Sequence, residues 1–226
     1  MKTVIGFPCV KQWSSSETNR DQMDQLQGKV VLITGAGRGS GRILALAFAD
    51  HGAIIALNDI SPINVEEVVN QVIGQGGQAK AYIDDVAKKV TVQHIINQVE
   101  DDFGGIDILV NHAAVEPDIP LLDMDEWDWH RTLDVNLTGA FLMTQSAGRL
   151  MRARGSGAII NIITRPKHEG NAASAFIASM SGLEAFSRQA ARELSSYGIR
   201  VYAVKSNAEN IAETVFALLD QQTEER

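Results

Sequence analysis

Residues 29–41 read KVVLITGAGRGSG, and the rest of the chain is arranged about them. An apolar run, Val30 to Ile33, stops at Thr34 and Gly35; glycines recur at Gly37, Gly39 and Gly41 before a helical pattern, RILALAFADHG. The order is strand, glycine turn, helix. Such a turn carries no side chains to obstruct a ligand. It also leaves the first N–H groups of the helix without partners at the positive end of the helix dipole, where a pyrophosphate is favoured. The stretch predicts a dinucleotide cradle, with a tight turn that holds no ligand as the alternative.

Beyond this stretch strands and helices alternate. Apolar runs at 30–34, 53–59, 79–84, 106–111, 158–164 and 199–204 read as strands, and periodic stretches at 65–73, 91–103, 126–154, 174–197 and 209–219 read as helices. Strands apolar on both faces, joined by helical crossovers, predict a parallel sheet covered on both sides. That is a single doubly wound α/β domain of the Rossmann type, with ligands outside the carboxyl ends of the strands. Residues 1–25, rich in Ser, Gln and Asp, stand apart as an N-terminal arm, and 26–226 form the domain. No internal repeat or low-complexity segment interrupts it.

The 226 residues, 45% of them hydrophobic, can bury a full core within one domain. A net charge of −8 and the absence of a basic block disfavour nucleic acid as a partner. No apolar run approaches the roughly 18 residues of a membrane helix, so no membrane partner is expected. Cys9 is the only cysteine, which precludes an internal disulfide and fits a reducing cytoplasm. The histidines show no metal-ligand spacing, and no metal is expected.

The glycines follow TGxxxGxG, Thr34 to Gly41, rather than GxGxxG, because Ser40 stands where the second pattern needs glycine. Here the chain resembles the short-chain dehydrogenase/reductase family, and the resemblance runs from about residue 26 to residue 204. It implies that Gly35, Arg38, Ser40 and Gly41 form the nucleotide turn. The second strand ends at Asn58-Asp59, about 20 residues beyond the turn, where this fold sets an acid to bond the adenosine ribose. A carboxylate there repels a 2′-phosphate and favours NAD over NADP, whereas Arg38 argues weakly for NADP. A solvated strand end is the alternative for Asp59. By resemblance, Asp85 and Val86 cradle adenine. Asn111-His112-Ala113-Ala114 match the family's NNAG, small at the last two positions where the cofactor passes over the strand end.

The family's reaction moves hydride between nicotinamide and a carbonyl or alcohol. A tyrosine exchanges the proton, a lysine tunes it and holds the ribose, a serine orients the carbonyl, and an asparagine joins the proton relay. The YxxxK pattern of that tyrosine and lysine aligns on Phe176 and Met180, within the intact flanks Ala178, Ser179, Gly182, Leu183 and Phe186. Thr164, ending INIIT, takes the serine's place, and Asn136, in DVNLTG, the asparagine's; ordinary strand and helix roles are the alternatives. Positioned acid–base catalysis contributes about 10² to 10⁴ in rate, or roughly 3 to 5 kcal/mol, and that contribution is expected to be missing. Lys167, His168, Tyr202 and Lys205 are the residues that could replace it. The family continues after its sixth strand with a substrate-covering loop and a last strand. Here Lys205-Ser206-Asn207 leads directly into AENIAETVFALLD and the tail QQTEER, so the domain is expected to be truncated at that loop and strand.

These features predict a dinucleotide-binding protein without standard hydride transfer, acting as a sensor, scaffold or regulatory subunit. An NAD-dependent oxidoreductase with unusual proton handling and a structural protein that binds no nucleotide are the alternatives. Apolar positions on more than one face of 126–154 and 174–197 (Phe141, Leu142, Phe176, Leu183, Phe186) predict a homo-oligomer through these helices, as in the family. The alternative is that both helices are buried within one chain.

Overall fold

The computed structural model describes residues 26–166, 172–205 and 210–220. The arm 1–25 with Cys9, the candidates Lys167 and His168, the pair Ser206-Asn207 and the tail 221–226 lie outside the described residues. The strands are β1 (Val30–Thr34), β2 (Ile54–Asp59), β3 (Gln78–Ile83), β4 (Ile108–Asn111), β5 (Gly157–Ile163) and β6 (Ile199–Lys205). They form one sheet in the order β3-β2-β1-β4-β5-β6, with every pairing parallel. From β1 the chain runs outward to β2 and β3, then crosses back to β4 on the other side. The order therefore reverses between β1 and β4, and a crevice opens at their carboxyl ends.

Alternation along β1 separates two cores. Val31 and Ile33 pack with Leu44 and Phe48 of α1 (Gly39–Asp50), Val65 and Val68 of α2 (Pro62–Gly74), and Val215 of the C-terminal helix Ile211–Asp220. Val30 and Leu32 face the opposite layer. There they meet Val92 and Ile95 of α3 (Lys89–Phe103), Met143 and Met151 of α5 (Ala140–Arg154), and Ala190 of α6 (Ser174–Leu194). A short α4 (Glu126–Leu133) precedes α5, and the C-terminal helix is α7. The doubly wound architecture expected from the sequence is the one observed.

Two helix boundaries differ from the sequence reading for identifiable reasons. Helix α2 starts at Pro62 rather than residue 65, because the Ser61 hydroxyl accepts from Asn64 N–H at 3.5 Å and proline suits the first helical position. The stretch 126–154 is not one helix: a π-helical turn, Asp134–Gly139, separates α4 from α5. Apolar periodicity continues through such a turn, so the pattern alone does not reveal it.

Of the five apolar positions expected to support self-association, Leu142, Phe176 and Leu183 are buried within the chain. Phe141 is 40% exposed and meets the Phe186 ring edge-on, 6.1 Å between centroids. Among the described residues no helix is long and apolar enough to cross a membrane.

Candidate nucleotide site

The crevice is a cavity of about 680 Å³ over the carboxyl ends of β1, β2, β4 and β5, within the range of small-ligand and cofactor sites. One end is the glycine turn. Gly35 has φ of 64°, and a Cβ there would stand 2.7 Å from Ala113 Cα, so only glycine lets the turn lie against the end of β4. A Cβ at Gly41 would fall onto the Gly35 carbonyl oxygen and 2.7 Å from His112 Nδ1. At Gly39, by contrast, nothing lies within 4 Å, and the position faces open space. Helix α1 begins there. Arg38, its cap, is extended and supplies no side-chain hydrogen bond, and the first turn holds no acid. Its leading amides are thus left to a ligand.

Asp59 closes the turn from β2. Its Oδ2 accepts from Gly37 N–H and its Oδ1 from Ser61 N–H, both at 2.9 Å. The carboxylate serves the fold as well as the cavity wall, because each oxygen retains a second lone-pair direction. Arg38 also lines the wall, exposed.

The opposite wall is Asp85 and Val86. Asp85 Oδ1 accepts from Ala87 N–H at 3.0 Å, and its Oδ2 pairs with Arg131 Nη1 of α4 at 2.8 Å. Burial pushes the Asp85 carboxyl up, but the Ala87 amide and the Arg131 guanidinium outweigh it and hold the group below the usual carboxylate range. Arg131 lines the cavity too. The sequence reading missed it, since its partner lies 46 residues away and no local pattern joins them.

Beneath the crevice, Thr34 and Asn111 tie the strand ends together. Thr34 Oγ1 accepts from His112 N–H at 3.0 Å and Ala113 N–H at 3.1 Å. Asn111, expected to touch cofactor, lies below the wall and is buried. Its Nδ2 donates to Asn161 Oδ1 at 2.8 Å and Thr144 Oγ1 at 3.2 Å, and Asn161 Nδ2 donates to Ser187 Oγ at 2.8 Å. This chain of amides and hydroxyls links β4, β5, α5 and α6. Asn161→Ala is expected to lower stability by about 2 to 3 kcal/mol, because Asn111 and Ser187 each lose a buried partner. Urea unfolding of the variant measures this.

At the far end the cavity meets Thr164, Arg165 and Phe176. Phe176 and Met180 are buried, 3% and 6% exposed, in an apolar cluster with Ala140, Ile163 and Leu183. Among the described residues Thr164 Oγ1 has one weak partner, Met180 Sδ at 3.9 Å. Asn136 lies in the π-helical turn, 1% exposed. Its Oδ1 accepts from Val115 N–H at 2.8 Å, and its Nδ2 donates to Val115 O and Ser179 Oγ, both at 3.0 Å. That amide anchors the segment after β4. Of the described residues considered as replacements, Lys205 pairs with Glu184 at 2.7 Å, and Tyr202 packs on the α1 and α7 side of the sheet. Neither lines the cavity.

A parallel sheet reversing at β1/β4, with a glycine turn and uncapped helix facing the crevice, defines an α/β fold of the dinucleotide-binding type. The family "short chain dehydrogenase" matches residues 29–212, and the chain belongs to it. It is 39% identical over 184 residues to a 3-oxoacyl-[acyl-carrier-protein] reductase of Synechocystis sp., covering 80% of this chain and 74% of that one. A D-threitol dehydrogenase of Mycolicibacterium smegmatis is 37% identical over 181 residues, 80% and 70% of the two chains. Among solved structures, a metagenomic short-chain oxidoreductase in complex with NADP superposes with a TM-score of 0.81 at 30% identity, over 87% of this chain and 92% of that one. NAD⁺-bound xylitol dehydrogenase superposes with a TM-score of 0.76 at 33% identity, over 80% and 70%.

Proposed function

We propose that this chain binds a nicotinamide dinucleotide, NAD in preference to NADP, without carrying the family's standard proton-coupled hydride transfer. Its role is then that of a dinucleotide-responsive sensor, scaffold or regulatory subunit. The observation that carries this reading is the apolar cluster around Phe176 and Met180, set where the resemblance puts a tyrosine and a lysine. The cradle fits the group: the positions that must be glycine are glycine, Gly39 opens on free space, and the α1 amides are uncapped. The α1 amides and Ser40 would hold the pyrophosphate, Asp59 the adenosine ribose, Asp85 and Val86 the adenine, and Ala113 leaves room beneath. A bound nicotinamide supplies or accepts hydride. The chain's own part would be to hand a proton to or from the substrate oxygen, and among the described residues the Thr164 hydroxyl on that wall is partnered by the Met180 thioether rather than by a base.

A second reading, an oxidoreductase with other proton handling, draws support from relatives named as reductases and dehydrogenases and from Arg165 on the wall beside Thr164. Calorimetric titration with NAD, NADH and NADP tests binding in either case. Micromolar affinity for NAD, weaker for NADP, is expected; no heat at millimolar nucleotide contradicts the proposal. Asp59→Asn should weaken NAD by about tenfold or more and narrow its advantage over NADP, because a charged acceptor becomes a neutral amide.

A further inference from the structure

His112 holds a place that the nucleotide reading leaves unused. Its ring sits behind the glycine turn: Nδ1 is 3.1 Å from the Gly35 carbonyl oxygen, and its backbone N–H is held by Thr34. A carbonyl only accepts, so Nδ1 carries the hydrogen and the neutral ring leaves Nε2 bare. Nε2 has no partner among the described residues, and His112 lines the cavity alongside Gly35, Gly39 and Ser40. A proton arriving at Nε2 leaves the Gly35 bond intact and turns a lone pair into a donor on a residue that lines the same cavity as Gly39 and Ser40. Burial holds the imidazole below the usual histidine range, against the opposing pull of the Gly35 backbone, the Asp59 charge and the Thr34 backbone. Among the described residues, the charged groups that line the cavity with it are Asp59 from β2, Arg38 of the turn, Glu116 further along its own loop, Asp84, the Asp85–Arg131 pair and Arg165 beyond β5.

We propose that His112 is a phosphate-binding residue of this site, taking up a proton at Nε2 as a pyrophosphate settles on the glycine turn. The inference rests on the nucleotide reading above. The signs of its two consequences are opposite. Without ligand the depressed imidazole contributes stability that is present above the unfolded histidine value, about 6.5, and lost as pH falls toward the folded value. With a phosphate bound, the imidazolium is favoured, and affinity rises as pH falls.

Calorimetric titration of the whole chain between pH 5.5 and pH 8.5 tests this, in buffers of different ionisation enthalpy so that protons taken up are counted directly on the unmodified protein. NAD and ADP-ribose should bind about tenfold tighter at the acid end with net proton uptake, and adenosine, lacking phosphate, should show neither. His112→Asn and His112→Gln should bind NAD with a flat profile. Binding by the unmodified chain that is independent of pH, or a slope retained by both variants, overturns the proposal while leaving the nucleotide reading in place. No binding at any pH overturns both.

Discussion

Gly41→Ala is expected to abolish measurable dinucleotide binding and to lower stability by about 2 to 4 kcal/mol. The added methyl would fall onto the Gly35 carbonyl oxygen and crowd both Ala36 Cα, 3.1 Å away, and His112 Nδ1. None of these can give way cheaply. Gly35 is held in a left-handed conformation against Ala113, Ala36 N–H bonds the Asn58 carbonyl at 3.0 Å, and the His112 ring is tied to the same Gly35 oxygen. The strand end and the first helical turn therefore move together or not at all. Gly39→Ala is the informative companion. Its Cβ would meet nothing, so the cost to the fold is the roughly 1 to 2 kcal/mol of a left-handed alanine, while the methyl would intrude where a ligand lies. Thermal melting and titration of both variants check the pair: Gly41→Ala should lose both stability and binding, Gly39→Ala chiefly binding. A Gly41→Ala protein that melts and binds like the parent contradicts the packing described.

The double change Phe176→Tyr with Met180→Lys is expected to bring in substrate-dependent turnover about 10² to 10⁴ above the assay background at which the parent stays. Phe176 lines the cavity, so a tyrosine hydroxyl would enter at the wall beside Thr164. The lysine is the harder half. Position 180 is buried among Ile163, Leu183 and Phe176, and an ammonium there loses solvation, costing about 1 to 3 kcal/mol and lowering its pKa. Phe176→Tyr alone should therefore fold more stably than the double variant while reacting more slowly. A nicotinamide absorbance assay over a panel of secondary alcohols and ketones, with urea unfolding alongside, separates the two effects. Equal rates in parent and double variant contradict the assignment of these positions.

The framework of this site was legible because it is local. Strand, glycine turn and helix follow one another within residues 30–50, and the apolar faces of the strands foretold a sheet covered on both sides. Spacing picked out Asp59 and the family resemblance picked out Asp85 as candidates, and both line the cavity. What the sequence concealed depends on pairing across distance. Nothing near Asn111 announces that its amide turns down to Asn161, 50 residues on, rather than up to a cofactor. Asn136 reads as a relay residue, yet its amide is filled by the Val115 backbone and Ser179. Asp59 reads as a ribose acceptor and proves also to brace Gly37. His112 was passed over between two expected site residues. Its only sequence cue, an imidazole at a strand end otherwise followed by small residues, acquires meaning once Gly35 and Gly41 are folded against it.

On the reading proposed above, the nucleotide cradle is kept while the tyrosine and lysine positions are apolar. The most direct test follows nicotinamide absorbance under multiple-turnover conditions, using purified, unmodified chain that calorimetry has shown to be loaded with NAD or NADH. Saturation with nucleotide and no substrate-dependent change in absorbance across alcohols and carbonyls is expected. Sustained turnover by that same protein on any of them would contradict it.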